Sequence, residues 1–156
     1  MVALQPLAVI DHSCKVDDAF LKSIPGEVGG STRIDPDELQ RILMQVGEFS
    51  TKAGGSAANT ARGLAHGFDV STGLIGAVGG DEWGGLFVNS MKRSGVDTKY
   101  LTVKGRTSYT GRCVCLVDQR GQRTMRPSLE DSIRLQPDEV KSQAFQGSKW
   151  VGAVTV

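Results

Sequence analysis

Short apolar runs alternate along this chain with stretches whose apolar residues return every three or four positions. The first run, Leu7-Ala8-Val9-Ile10, ends at Asp11 and predicts a buried strand with a carboxylate at its C-terminal end. From 12 to 31 the pattern is mixed, with turns at Pro25-Gly26 and Gly29-Gly30. Asp35-Pro36-Asp37-Glu38 opens a helix, with Asp35 as cap, proline at the first helical position and acids in the first turn. Leu39, Ile42, Leu43 and Val46 follow at helical spacing, which predicts a helix over 36–48. A second helix over 56–66 packs through Ala57, Ala61, Leu64 and Ala65 and stops at Gly67. A strand over 70–78 comes next, and then a helix capped by Asp81 that carries Leu86, Phe87 and Met91 and ends at Gly95. A short strand is predicted at 100–103. The segment 109–117 alternates, with Cys113 and Cys115 on one face; Gln119-Arg120-Gly121 turns the chain, and 122–126 returns as the second arm of a hairpin. Pro137-Asp138-Glu139 opens a fourth helix, and 150–156 reads as a last buried strand.

Strands alternating with helices predict an α/β fold whose mostly parallel sheet is flanked by helices. The hairpin and the stretch after Asp11 fit poorly into that layer and are placed outside it, as a small β flap. The 156 residues suit one domain with a real core.

Composition narrows the function. A net charge of +1 excludes a nucleic-acid or membrane-surface role driven by bulk electrostatics. Cys14, Cys113 and Cys115 are an odd number of thiols without framework spacing, which points to a reducing compartment. Three cysteines and two histidines without C-x-x-C give no zinc pattern, so no metal ligands are expected. There is no long apolar run and no signal-peptide pattern, and the expected location is cytoplasmic.

The candidate chemistry lies in Ala53-Gly54-Gly55-Ser56-Ala57-Ala58-Asn59. Two glycines running into a helix of small residues leave its N-terminus open, with backbone N–H groups turned to a polar ligand. Asn59 stands one turn inside. With Asp11 at a strand end, these groups suit a polyhydroxylated ligand, because they donate to and accept from several hydroxyls together. A tight turn with a surface Asn59 accounts for the same pattern. Gly76-x-x-Gly79-Gly80-Asp81 lacks the G-x-G-x-x-G spacing and reads as a strand-to-helix turn. No P-loop, G-x-S-x-G or H-E-x-x-H occurs, and nothing in the chain looks able to activate a nucleophile. His12 and His66 read as structural or solvent-facing, Cys113 and Cys115 as small apolar fillers, and Arg120, Arg123 and Arg126 as the solvated surface of the flap, with an anionic ligand facing them as the alternative.

Ala53-Gly54-Gly55-Ser56-x-x-Asn59 resembles the first signature of the PfkB, or ribokinase-like, carbohydrate kinases. Gly76-x-Val78-Gly79-x-Asp81-x-x-Gly84, Ser94-Gly95-Val96-Asp97-Thr98 and the order of elements are similar too. The resemblance implies a ribokinase-like fold with a small β lid formed by about 12–34 and 105–127, often also a dimer interface. It implies ATP-dependent phosphoryl transfer to a hydroxymethyl group of a sugar or nucleoside, with Asp11, Gly54, Gly55 and Asn59 binding the acceptor. ATP and Mg2+ are the cofactors of the complete family enzyme. The family's Gly-Ala-Gly-Asp-type catalytic motif, its Asn-x-x-Glu motif and its ATP-binding loops do not occur in this sequence. The expectation is therefore an apparently truncated, N-terminal, acceptor-binding half with no catalytic residue, no tight binding of ATP and no activity of its own. Its last strand would leave an open edge. Many members carry an Asn just before the aspartate; residues 7–10 are apolar here, which leaves the sugar unnamed. A different reading is a non-catalytic sugar-binding or dimerisation module, pairing through the lid with itself or with a full-length relative.

Overall fold

In the computed structural model, residues 1–5, 8–129 and 134–153 are described, and the chain divides into two units. One comprises Met1–Val9, Ala53–Thr110 and Glu130–Val156, the other Ile10–Lys52 and Gly111–Leu129. In chain order the elements are β1 (Val2–Gln5), β2 (Val9–Lys15), α1 (Asp18–Ser23), α2 (Pro36–Val46), β3 (Ser50–Gly54), α3 (Ser56–Phe68), β4 (Thr72–Val78), α4 (Glu82–Arg93), β5 (Val96–Asp97), β6 (Leu101–Val103), β7 (Gly111–Val117), β8 (Arg123–Ser128) and β9 (Val151–Ala153).

The first unit is built on a parallel sheet of order β5-β4-β1-β9, with β6 also paired to β4. Val2 and Leu4 project to the same face as Ile75 and Ala77, and pack there on Leu135, Val140, Ala144 and Phe145. The opposite face carries Ala3, Gln5 and Leu74. Helix α3 joins it through Gln5, which bonds the Ala58 amide.

The second unit holds the sheet β3-β2-β7-β8. Its β7–β8 hairpin pairs antiparallel from Arg112↔Ser128 to Val117↔Arg123. The turn is held by Asp118, whose carboxylate accepts from the Arg120 and Gln122 amides at 2.9 and 2.8 Å. Cys14, Val114 and Leu116 line one face and pack against Leu21 and Ile24, at and just past the end of α1, and Leu39, Ile42 and Leu43 of α2.

Several expectations are revised. Asp11 is not at a strand end but inside β2, because the alternation Ile10-His12-Cys14 continues the buried face beyond it. Leu7 lies outside the described residues, and the parallel-sheet strand is β1. Helix α3 passes through Gly67 and stops instead at Asp69, a left-handed cap (φ 51°) whose amide, like that of Val70, bonds the Leu64 carbonyl. The fourth helix is replaced by two short 3-10 turns, Pro137–Glu139 and Ser142–Phe145. Val140 turns extended between them, and Glu139 is committed to the Gln136 amide and to Lys104. The strands β1, β3 and β5 and helix α1 had no sequence prediction. Of the strand expected at 150–156, residues 154–156 lie outside the described residues. Arg126 is not on a solvated surface: it is 0% exposed and donates to the carbonyls of Pro25, Met125 and Glu27.

Candidate functional site

The glycine pair sits where β3 runs into α3. Gly54 ends the strand, and Gly55 caps the helix with φ +95°, a backbone conformation that L side chains rarely adopt. A Cβ at Gly55 would also stand 2.2 Å from Gln5 Nε2. Gln5 is the residue that sequence reasoning missed. It is buried at the end of β1, its Oε1 accepts from the Ala58 amide at 2.9 Å, and its Nε2 reaches the Gly54 carbonyl at 3.4 Å. A neighbouring strand thus supplies the cap that the glycine cannot. The one signal was a lone amide closing an otherwise apolar strand. Asn59 is exposed, and its Oδ1 accepts from Arg62 Nη2 at 2.5 Å. Gly54, Gly55 and Asn59 are therefore brought together at one helix start, with the Asn59 backbone N–H donating to the Gly55 carbonyl.

Asp11 belongs to the second unit. There its carboxylate meets Cys113 and Cys115 of β7, and the three ligand atoms lie within 4.8 Å of one another. The two sulfurs are 3.9 Å apart. Their hydrogen bond holds the Cys115 thiol below its usual range and, with burial, pushes Cys113 up. These cysteines are not apolar fillers alone. On the other face of β2, burial pushes the Cys14 thiol up to about 11. His12 is also fully buried, its Nδ1 3.0 Å from Thr51 Oγ1 and its ring edge-on to Phe49. Burial, with Arg112 adding to it, lowers its pKa to about 4, so the ring is neutral near pH 7.

The Gly76–Gly84 turn is filled by the chain itself. A Cβ at Gly79 would stand 2.5 Å from the Ser108 carbonyl oxygen, and one at Gly80 2.8 Å from that of Gly105. Asp81 caps α4 through the Gly84 amide at 2.9 Å and also binds the amide and hydroxyl of Thr110, at 3.0 and 2.6 Å.

Residues 27–151 match the family described as pfkB family carbohydrate kinase. The chain belongs to this family. A 5-dehydro-2-deoxygluconokinase from Geobacillus kaustophilus is 33% identical over 78 residues, which is 50% of this chain and 23% of that protein. Among solved structures, an adenosine kinase from Sinorhizobium meliloti superposes with a TM-score of 0.84 at 24% identity, over 97% of this chain and 46% of that one. A sugar kinase from Pyrococcus horikoshii, solved in complex with ATP, gives 0.68 at 20% identity, over 98% and 42%. The chain thus spans under half the length of these relatives. The α/β fold expected from the pattern, and its ribokinase-like form implied by the resemblance, are the ones observed. Among the described residues no helix is long and apolar enough to cross a membrane.

Proposed function

We propose that this pfkB family chain carries the acceptor-binding part of a sugar or nucleoside kinase, with Gly54, Gly55, Asn59 and Asp11 contacting the acceptor's hydroxyls. The observation that carries this reading is the glycine-capped start of α3, locked by Gln5 and flanked by an exposed Asn59. Gln5 takes the Ala58 N–H, and the N–H groups of the first turn ahead of it are the backbone donors proposed for the ligand. Asn59 adds a carbonyl and an NH2 group, and Asp11 adds an acceptor for hydroxyl protons. The segments about 12–34 and 105–127 are proposed as the lid, which would exclude water from transfer.

The family implies ATP and Mg2+. The Gly79-Gly80 turn does not fit the phosphates of a nucleoside triphosphate: it is closed by backbone, and the Asp81 carboxylate is spent on Gly84 and Thr110. No Gly-Ala-Gly-Asp-type motif is present to supply a base. Phosphoryl transfer needs a positioned base and neutralised phosphates, so these 156 residues are proposed to bind acceptor without turning it over.

The test is the thermal midpoint of the chain titrated with ribose, fructose and adenosine, each with and without Mg-ATP. A ligand that binds only the folded state raises the midpoint. A rise with one acceptor, lost in Asn59→Ala and Asp11→Ala and absent with Mg-ATP alone, is expected. A rise that both variants keep would remove these residues from the site.

A further inference from the structure

We propose that Asp11, Cys113 and Cys115 form a binding site for one thiophilic divalent cation of the Zn2+ class. The linear spacing hides this set, since Asp11 comes from β2 and the two cysteines from β7, a hundred residues away. Strand alternation turns Cys113 and Cys115 to one face, opposite the face that Val114 and Leu116 pack against α2 and the α1 segment. Asp11 reaches the same two sulfurs, with all three ligand atoms within 4.8 Å.

The sulfur separation discriminates between uses of the pair. Zn–S bonds of about 2.3 Å in a tetrahedron place two sulfurs about 3.8 Å apart, and here they stand at 3.9 Å. A disulfide asks for more. Residues i and i+2 of one extended strand have Cα atoms about 6.6 Å apart, near the upper limit of disulfide geometry. The pair is therefore better set to share a cation than to bond to itself. Two thiolates and a carboxylate bring three negative charges to a dication, and Arg123 of β8, whose charge acts on Cys115, offsets the excess. Met125 is the register partner of Cys115 and lies on the same face, which adds a soft atom to the surroundings. Asp11 is partly exposed while both thiols are buried, so entry is from the carboxylate side. Binding displaces the thiol protons and involves no electron transfer.

Three protein ligands leave a fourth tetrahedral position for water. One consequence rests on the acceptor reading above: a bound cation occupies the Asp11 oxygens, so cation and acceptor compete.

The probe is Co2+ added to the whole reduced chain, followed by displacement with Zn2+. One equivalent should give the visible bands of tetrahedral cobalt together with a thiolate charge-transfer band. Cys113→Ser and Cys115→Ser should each weaken binding at least about tenfold, some 1.4 kcal/mol, and reduce the charge-transfer band. Asp11→Asn should weaken binding but keep that band, and Cys14→Ser should change neither. No thiolate band, or one that only Cys14→Ser removes, overturns the site. Should the serine variants not fold, the wild-type chain decides. Zn2+ should slow alkylation of Cys113 and Cys115, read by peptide mass, and equal rates with and without Zn2+ overturn the proposal. The acceptor reading is tested separately by the thermal midpoint. A thiolate band without any acceptor shift removes the acceptor reading and leaves the cation site standing. Where both ligands bind, saturating acceptor should lower the affinity for Co2+, and independence would overturn their shared use of Asp11.

Discussion

Gln5 and His12 are the residues whose surroundings matter most beyond the candidate ligands. Gln5 does the work of a helix cap from another element, so its loss leaves the Ala58 N–H buried without its acceptor. We expect Gln5→Leu to cost about 1–3 kcal/mol, read as a lower urea midpoint at unchanged slope. Acceptor binding at α3 should weaken with it. His12 is held neutral, with a folded-state pKa of about 4 against 6.5 unfolded. Between those values the unfolded chain binds the proton and the folded chain does not, so stability rises with pH. The contribution of His12 is complete above about pH 6.5 and is lost progressively as the pH falls toward 4. Denaturation followed from pH 7 to 4 should show this decline, and His12→Gln should flatten it.

At the scale of elements, caps were the most legible feature. Asp35 and Asp81 were both read as N-caps, and both accept from the third residue of their helices, Glu38 and Gly84. The signal is local, and so is the bond. Their consequences differ. Asp35→Ala removes a surface cap and should cost about 1 kcal/mol. Asp81→Ala also strips two bonds from Thr110, whose side chain is buried, and should cost roughly 2–4 kcal/mol. Equal shifts in the two variants' urea midpoints would show that the Thr110 bonds contribute nothing. The missing fourth helix marks the limit of local signals. Pro137-Asp138-Glu139 is a good start, but Glu139 is drawn to Lys104, 35 residues away, and Ala144 is the one buried residue of the two turns. Helices of that length depend on a packed face, which this segment spends on the sheet in irregular form.

At the scale of the whole molecule, family membership rests on residues 27–151, while the Gly-Ala-Gly-Asp-type and Asn-x-x-Glu motifs do not occur in these 156 residues, which is why we propose binding without turnover. The purified chain with Mg-ATP and ribose or adenosine should release no ADP above background in a coupled assay. Turnover abolished by Asp11→Ala would mean that a catalytic base has been overlooked.

The alternation of strand and helix, the glycine pair, the two Asp caps and the hairpin were determined by the sequence alone, because each depends on neighbours a few positions apart. Tertiary structure decided what those elements meet. It put Asp11 in mid-strand, because burial of one face extends β2 past the apolar run. It buried Arg126 under the carbonyls of Pro25 and Glu27, which no spacing rule connects to it. It set Gln5 on the helix start and Asp11 beside two thiols. These pairings join residues about 50 to 100 positions apart, and the chain pattern carries no record of them, because a register between strands is chosen only when the sheet forms.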